Sequence, residues 1–359
     1  MTQSITAGEP ATDRSGAAGP GPHPWYRRLL RDEAGVVLVL VLLVLAVGIA
    51  HPDFLHTDNL LSIAQGSTYV GVIATGMVFS LAMREVDLSV GGTYALCIVI
   101  GAVLIRDGTE PWLSLLVTLP VAALLGAFNG AVTTFLQIPS FIVTLGTAML
   151  YSGIALAMAN GQQISGLPTG STFFTVLGGS AAGVPASVWV LLAAMIALAF
   201  VLTRTRFGAQ VRAIGSNPDA ARFSGLPIAR TRVKAMALTG LMAGVAGALG
   251  LSFFITGDPT VGTGYELSAI AACIIGGTPL AGGRGSVPGA VFGALILSTV
   301  AGALVFFQVP INWTSFATGA VILFAVALDS ALRRSRGQGL RQLAAGLAGR
   351  AAGRRRGPG

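Results

Sequence analysis

Apolar runs of about 20 residues recur along most of this 359-residue chain. Each is about the length an α-helix needs to cross a ~30 Å hydrocarbon core. They lie near residues 34–50, 62–83, 88–105, 112–136, 140–159, 186–203, 235–255, 266–280, 286–307 and 312–332, which predicts ten helices, the eighth short and glycine-rich. Inside a bilayer every backbone polar group must be satisfied by the segment itself, so the expected fold is an all-α polytopic bundle. Only 10% of the residues are charged, against roughly 25% in a soluble domain. Glycine, at 49 residues, is costly in a soluble helix but lets membrane helices approach closely.

The basic residues test the span count. With the N-terminus inside, the segments assigned to the cytoplasm hold Arg14, Arg27, Arg28 and Arg31, then Arg84, then seven residues within 204–234, then Arg284, then eight after the last span; only Arg106 of the 22 falls outside. Such segregation follows the positive-inside rule and puts both termini in the cytoplasm. The opposite face carries Asp53, Asp58, Asp107, Glu110, Asp258 and Glu266. The net charge of +8 therefore resides in loops and tails, which argues against nucleic acid as a partner. Residues 1–33, rich in Gly, Pro and Ala, are expected to be a disordered cytoplasmic tail; residues 34–332 form the membrane domain, and 333–359 a basic cytoplasmic tail suited to anionic lipid. A cleaved signal peptide ending in AVGIA at 46–50 is the rival reading, disfavoured by the long preceding tail and the spans that follow. Cys97 and Cys273 sit in apolar runs, and the three histidines lack metal-ligand spacing.

The segment 204–234 is the one long polar insert, with Arg204, Arg206, Arg212, Arg222, Arg230, Arg232 and Lys234. Within it both ends of a short helix are marked. Asn217 is an N-cap, Pro218 suits the first helical position, Asp219 complements the helix dipole, and Gly225 followed by Pro227 ends the helix. A helix this short needs a packing partner. Lys234, the only lysine, precedes Ala235, so no G-x-x-x-x-G-K-[ST] phosphate loop exists. An ATP-driven activity would need a separate ATPase, which would grip this loop.

Four ordered stretches carry a family resemblance: Arg84-Glu85-Val86-Asp87-Leu88-Ser89-Val90-Gly91-Gly92; Ile138-Pro139-Ser140-Phe141 through Thr147; Ala213-Ile214-Gly215-Ser216-Asn217-Pro218-Asp219-Ala220-Ala221-Arg222-Phe223-Ser224-Gly225; and Gly262-Thr263-Gly264-Tyr265-Glu266-Leu267 continuing to Gly285. Together, over about 55–332, they resemble the permease subunit of sugar-type ABC importers, the ribose-transporter permease family. Glu85 departs from that pattern, which has a small or aliphatic residue there. The resemblance implies a type II-like importer: two permease subunits, identical or different, an ATPase with two nucleotide-binding halves, and an extracytoplasmic sugar-binding protein. ATP would be hydrolysed by the partner, and no cofactor is bound directly. The coupling segment it implies is Asn217, Pro218, Asp219, Ala220, Ala221, Arg222, Phe223, Ser224 and Gly225.

Near the second helix–helix junction, Asp87 can cap the third helix with Ser89 assisting, pair with Arg84, or belong to a gate that includes Glu85. Polar side chains within spans, Gln65, Thr75, Asn129, Thr133, Thr144, Thr147 and Tyr151, are candidates for a sugar pathway, although hydrogen bonds between helices are the favoured role for any one of them. Asn129 and Thr133 share a helix face. Asp329 and Arg333 are spaced to pair at i,i+4. The outer loops 160–185 and 256–266 are the candidate meeting place for a binding protein. SVGG at 89–92 and SVPG at 286–289 hint at an internal duplication. The function expected is import of a pentose- or hexose-like solute through a bacterial inner membrane by alternating access. The alternatives are a nucleoside or branched-chain amino acid importer permease and an ion-coupled secondary transporter; the latter predicts mid-span carboxylates, and none is seen.

Overall fold

The computed structural model describes residues 25–310 together with 313, 315–317, 319, 320 and 323. The expectations for 1–24, for most of the tenth span, for Asp329 with Arg333 and for the basic tail lie outside the described residues.

Helix α1 (Trp25–Ala50) starts well before the predicted boundary. The tail expected to be disordered to residue 33 therefore gives way to helix at Trp25. Arg, Leu and Glu in this stretch are good helix formers and continue directly into the apolar run. After a 3-10 turn at Pro52–Leu55 come α2 (Thr57–Ala82), α3 (Val90–Arg106), α4 (Pro111–Phe135) and α5 (Ser140–Met158). The loop 160–185 holds a short helix α6 (Thr172–Leu177) and a two-stranded antiparallel ribbon, β1 (Ser180–Ala181) and β2 (Val184–Pro185), joined by Ala182 and Gly183, both at positive φ. Such a turn matches the twist of a ribbon. Then follow α7 (Ala186–Arg204), α8 (Arg206–Ser216), α9 (Pro218–Phe223), α10 (Ile228–Phe254), α11 (Tyr265–Ile275) and α12 (Val287–Phe306).

Seven of these helices, α1, α2, α4, α5, α7, α10 and α12, are long and apolar enough to cross a membrane; α3 and α11 are shorter and apolar. Nine of the ten expected spans thus correspond to described helices. α2 and α10 form the buried centre, while α1, α4, α5 and α7 present most of their apolar surface outward, the pattern of an inside-out bundle whose solvent is lipid. α10 packs chiefly on α4 and α2. Glycines permit this: a Cβ on Gly126 of α4 would stand 2.2 Å from the Met236 carbonyl oxygen of α10, and one on Gly240 would stand 2.4 Å from that of Ala122. Contacts this close are possible only without a side chain.

Hydrogen bonds between loops sort them into two ends. At one end Gly283 donates its N–H to the Ala82 carbonyl (2.8 Å), Arg84 reaches Gly215, and Ser286 donates its hydroxyl to Glu33 (2.5 Å). At the other, Trp112 meets Thr172, Ser171 meets Glu110, and Ile164 bridges Gly257. The basic segments around 84, 204–234 and 284 therefore share one end.

The loop 256–266 places its two carboxylates differently. Of its two carboxylates, Asp258 stays near the surface, accepting from the Thr260 N–H and hydroxyl (2.8 and 2.7 Å). Glu266, equally half-buried, sets its carboxylate beside the first turn of α3, where a Cβ on Gly91 would fall 2.4 Å from Glu266 Oε2 and 2.6 Å from the Gly262 carbonyl oxygen. Gly262 and Gly264, at φ 89° and 88°, turn the chain toward α3, and Gly91 leaves the space. α11 consequently begins beside the first turn of α3. Its 11 residues span about 16 Å at 1.5 Å per residue, half a membrane.

Candidate functional site

Between α2 and α3 the chain is unwound over residues 83–89, with Arg84 at φ 68°. The N–H groups of Met83, Arg84 and Glu85 still close onto carbonyls of α2, and Val86 turns to α5, donating its N–H to Ser140 Oγ (3.1 Å) and accepting at its carbonyl from Thr144 Oγ1 (3.2 Å). Buried backbone polar groups require such partners.

Asp87 is fully buried here. Its Oδ1 accepts from the Ser89 N–H (2.9 Å) and hydroxyl (2.6 Å), and Oδ2 has no partner. Asn129 of α4 donates to Ser89 Oγ (2.7 Å), and Tyr151 of α5 donates to Asn129 Oδ1 (3.2 Å) and to the Leu125 carbonyl (3.1 Å). The result is a continuous polar chain from α3 through α4 to α5. Asp87 bonds the N-cap residue itself rather than a deeper N–H of α3, and Ser89 makes no side-chain cap. The alternative pairing of Asp87 with Arg84 does not form. Burial raises the Asp87 carboxyl above its ordinary range, opposed by the two Ser89 hydrogen bonds.

Arg84 turns instead to the basic loop, donating Nε–H to the Gly215 carbonyl (2.7 Å) and a terminal N–H to that of Ser216 (3.0 Å). Glu85 also turns away from Asp87 and pairs with Arg232 of α10 at 2.6 Å. Sequence reading missed this pair because Arg232 registered only as loop charge.

In the loop, Thr205 caps α8 by accepting from Gly208 N–H (3.2 Å), and Asn217 caps α9 by accepting from Ala220 N–H (3.0 Å). Pro218 opens α9, and Gly225 lies at φ 71° just beyond it. Arg212 donates to the Leu202 carbonyl, tying α8 to α7. Ala221 is buried and anchors α9, Asp219, Ala220, Arg222 and Ser224 are exposed, and Phe223 is 92% exposed.

The pathway candidates divide. Asn129, Thr144, Thr147 and Tyr151 gather around the unwound segment, with Thr133 buried one turn beyond Asn129. Thr75 is buried and donates to its own helix at the Val72 carbonyl (2.7 Å). Gln65 lies toward the opposite end, donating to Tyr69 OH (3.2 Å) and accepting from Ser187 (2.7 Å). There it lines an open hollow of about 360 Å³ with Ser62, Tyr69, Pro185, Phe253 and Phe254. Phe254 also bounds a second hollow of about 240 Å³ with Gln163 and Asp258. Sequence reading missed the rings behind these hollows: Tyr69 contacts Phe254 (5.8 Å) and Tyr94 (6.4 Å), and Tyr94 contacts Tyr265 (5.1 Å). Tyr94 and Tyr265 follow recognisable glycine motifs, a signal available in the sequence. Among the described residues no cluster of His, Cys, Asp and Glu could hold a metal ion.

Residues 59–326 match the family model described as "Branched-chain amino acid transport system / permease component". The chain is 37% identical over 298 residues to the ribose import permease protein of Bacillus subtilis, covering 83% of this chain and 92% of that one. It is 33% identical over 307 residues to the L-arabinose ABC transporter permease protein of Azospirillum brasilense (86% and 90%) and 34% over 313 residues to the autoinducer 2 import system permease protein of Salmonella typhi (86% and 89%).

Proposed function

The chain belongs to this permease family and, within it, to the ribose-type sugar ABC importer permeases, and on that premise we propose that it moves a pentose- or hexose-like solute by alternating access, driven by a separate ATPase gripping the loop 204–234. It is a multi-pass inner-membrane transport subunit rather than an enzyme. Both termini face the cytoplasm, two permease subunits form the pathway, and an extracytoplasmic binding protein delivers the solute to the end bearing the Phe254 hollows.

The observation that carries this reading is α9. A six-residue helix with a side-chain N-cap, anchored through Ala221, holds out a phenylalanine that is 92% exposed. Burying such a ring is worth about 1.5–3 kcal/mol, so a groove on a partner gains affinity from it. The ATPase must be separate because the chain lacks a phosphate loop. Aromatic rings beside amide and carboxyl groups around Phe254 suit the apolar faces and hydroxyls of a sugar.

The test is uptake of labelled D-ribose, L-arabinose and D-xylose into vesicles from the native host, with co-purification of the ATPase. Phe223→Ser should leave the subunit inserted, weaken ATPase retention and cut uptake. Gly225→Val, placing a β-branched residue at φ 71°, should do the same. Full retention and uptake in both variants would sink the coupling role. The family description favours one second reading, a branched-chain amino acid importer permease; uptake of labelled L-leucine in place of the sugars would establish it.

A further inference from the structure

The loop and the buried polar chain are joined by two adjacent residues. Arg84 grips the last carbonyls of α8, at Gly215 and Ser216. Glu85 grips Arg232, in the first turns of α10, on the far side of the loop. The chain on both sides of α9 is thus tied to one point of the α2–α3 connection. The backbones there are in direct contact: the Gly283 N–H donates to the Ala82 carbonyl, and a Cβ on Gly215 would lie only 1.7 Å from the Ala82 carbonyl oxygen. Two residues further on, Asp87 begins the hydrogen-bonded chain to Asn129 and Tyr151.

We propose that Arg84 and Glu85 are positioning residues that clamp the unwound α2–α3 connection to the basic loop on both sides of α9, so that displacement of the loop by its partner is delivered to the Asp87–Ser89–Asn129–Tyr151 chain. The clamp rests on the reading that 204–234 receives the ATPase. It has the properties a transmitter needs. An unwound segment absorbs φ/ψ change where a continuous helix resists it. The Glu85–Arg232 pair is mostly shielded, its side chains 12% and 26% exposed, so solvent weakens it less than a surface pair. The Arg84 bonds are to backbone carbonyls, so they follow α8 rather than any side chain on it. The pairing with Arg232 gives the Glu85 carboxylate a defined place, the second arm of the clamp.

The experiment uses the permease–ATPase complex in vesicles of the native host, reading ATP hydrolysis and uptake of labelled D-ribose, L-arabinose and D-xylose separately. Glu85→Gln keeps a hydrogen-bonding partner for Arg232 but removes the charge. It should insert, retain the ATPase and hydrolyse ATP, while uptake per ATP falls by about fivefold or more, the low end of site-to-site coupling. Exchanging the charges, Glu85→Arg with Arg232→Glu, should recover most of that ratio. A purely structural role would lower hydrolysis and uptake together through loss of complex, and that result would overturn the proposal. Wild-type uptake per ATP in Glu85→Gln would overturn the clamp alone. No ATP-driven uptake of any of the three sugars by the wild-type complex would overturn the transport reading and the clamp with it.

Discussion

Replacing Gly215 by alanine probes the junction on which the loop rests. The added Cβ would stand 1.7 Å from the Ala82 carbonyl oxygen and 2.8 Å from the Gly283 nitrogen, both backbone atoms that no rotamer change can move. Ordinary contact starts at 3.4 Å, so the α8 backbone must retreat by about 1.7 Å, the difference of the two distances. The same retreat would stretch the Arg84 bonds, now 2.7 and 3.0 Å, past useful hydrogen-bond length. Overpacking of this kind costs about 1–3 kcal/mol. At roughly 2 °C per kcal/mol for a larger domain, the apparent melting temperature of the detergent-purified subunit should drop by about 2–6 °C. Uptake per inserted subunit should fall further than stability, because the clamp is disrupted. Gly153→Ala in α5 is the control: nothing lies within 4 Å of its Cβ position and its φ is ordinary. If Gly215→Ala matches Gly153→Ala in melting temperature and uptake, the close three-way packing of α2, α8 and the 276–286 segment is wrong.

Asp87→Asn should flatten a pH dependence. Because burial raises the folded-state carboxyl above 3.8, its favourable contribution is present below that value and is lost as pH rises through the folded pKa. Wild type should therefore lose melting temperature as pH climbs above 3.8, and the Asn variant should lose less; equal slopes would refute the assignment. Ser286→Ala removes the cap on the Gly289 N–H (2.9 Å) and the bond to Glu33, and should cost about 1–2 kcal/mol, read as a lower melting temperature with α12 still inserted. Tyr151→Phe deletes one hydroxyl shared by Asn129 and the Leu125 carbonyl and should cost about 0.5–1.5 kcal/mol in the same assay. For orientation, Cys97 and Cys273 are buried, so single introduced cysteines can be labelled from either side: Phe223→Cys should react with an impermeant reagent only in inverted vesicles, and Gly170→Cys only in right-side-out ones. The reverse pattern would invert the assigned topology.

Much of the bundle was legible because membrane helices are specified locally. A run such as 112–136 must become a helix wherever it packs, and α4 (Pro111–Phe135) follows it within one residue. The ends were harder. Trp25–Ala34 is amphiphilic and carries Arg27, Arg28 and Arg31, so composition read it as tail, whereas helix propensity carried α1 through it. The local cap at Asn217 was readable for the same reason as the spans: Asn, Pro and Gly at fixed offsets act on their own neighbours.

The partners of Glu85 and Asp87 were not legible. Residue 85 meets residue 232, and residue 87 reaches 129 and 151 through Ser89. Sequence spacing cannot state such pairings, because they depend on which helix faces which. Glu266 makes the same point. As a carboxylate in a polar loop it had no assigned neighbour, yet the turn at Gly262 and Gly264 sets it against the space left by Gly91. By itself the sequence determined the membrane-spanning helices, the end that carries the basic charge and the capped helix at 218–223, since each is set by composition or by contacts within a few residues. Only the tertiary structure decided that the basic loop is tied on both sides of α9 to the unwound α2–α3 segment and that α11 starts beside the first turn of α3. Those outcomes depend on glycine-mediated contacts between backbones far apart in the chain, which form only once the helices have packed.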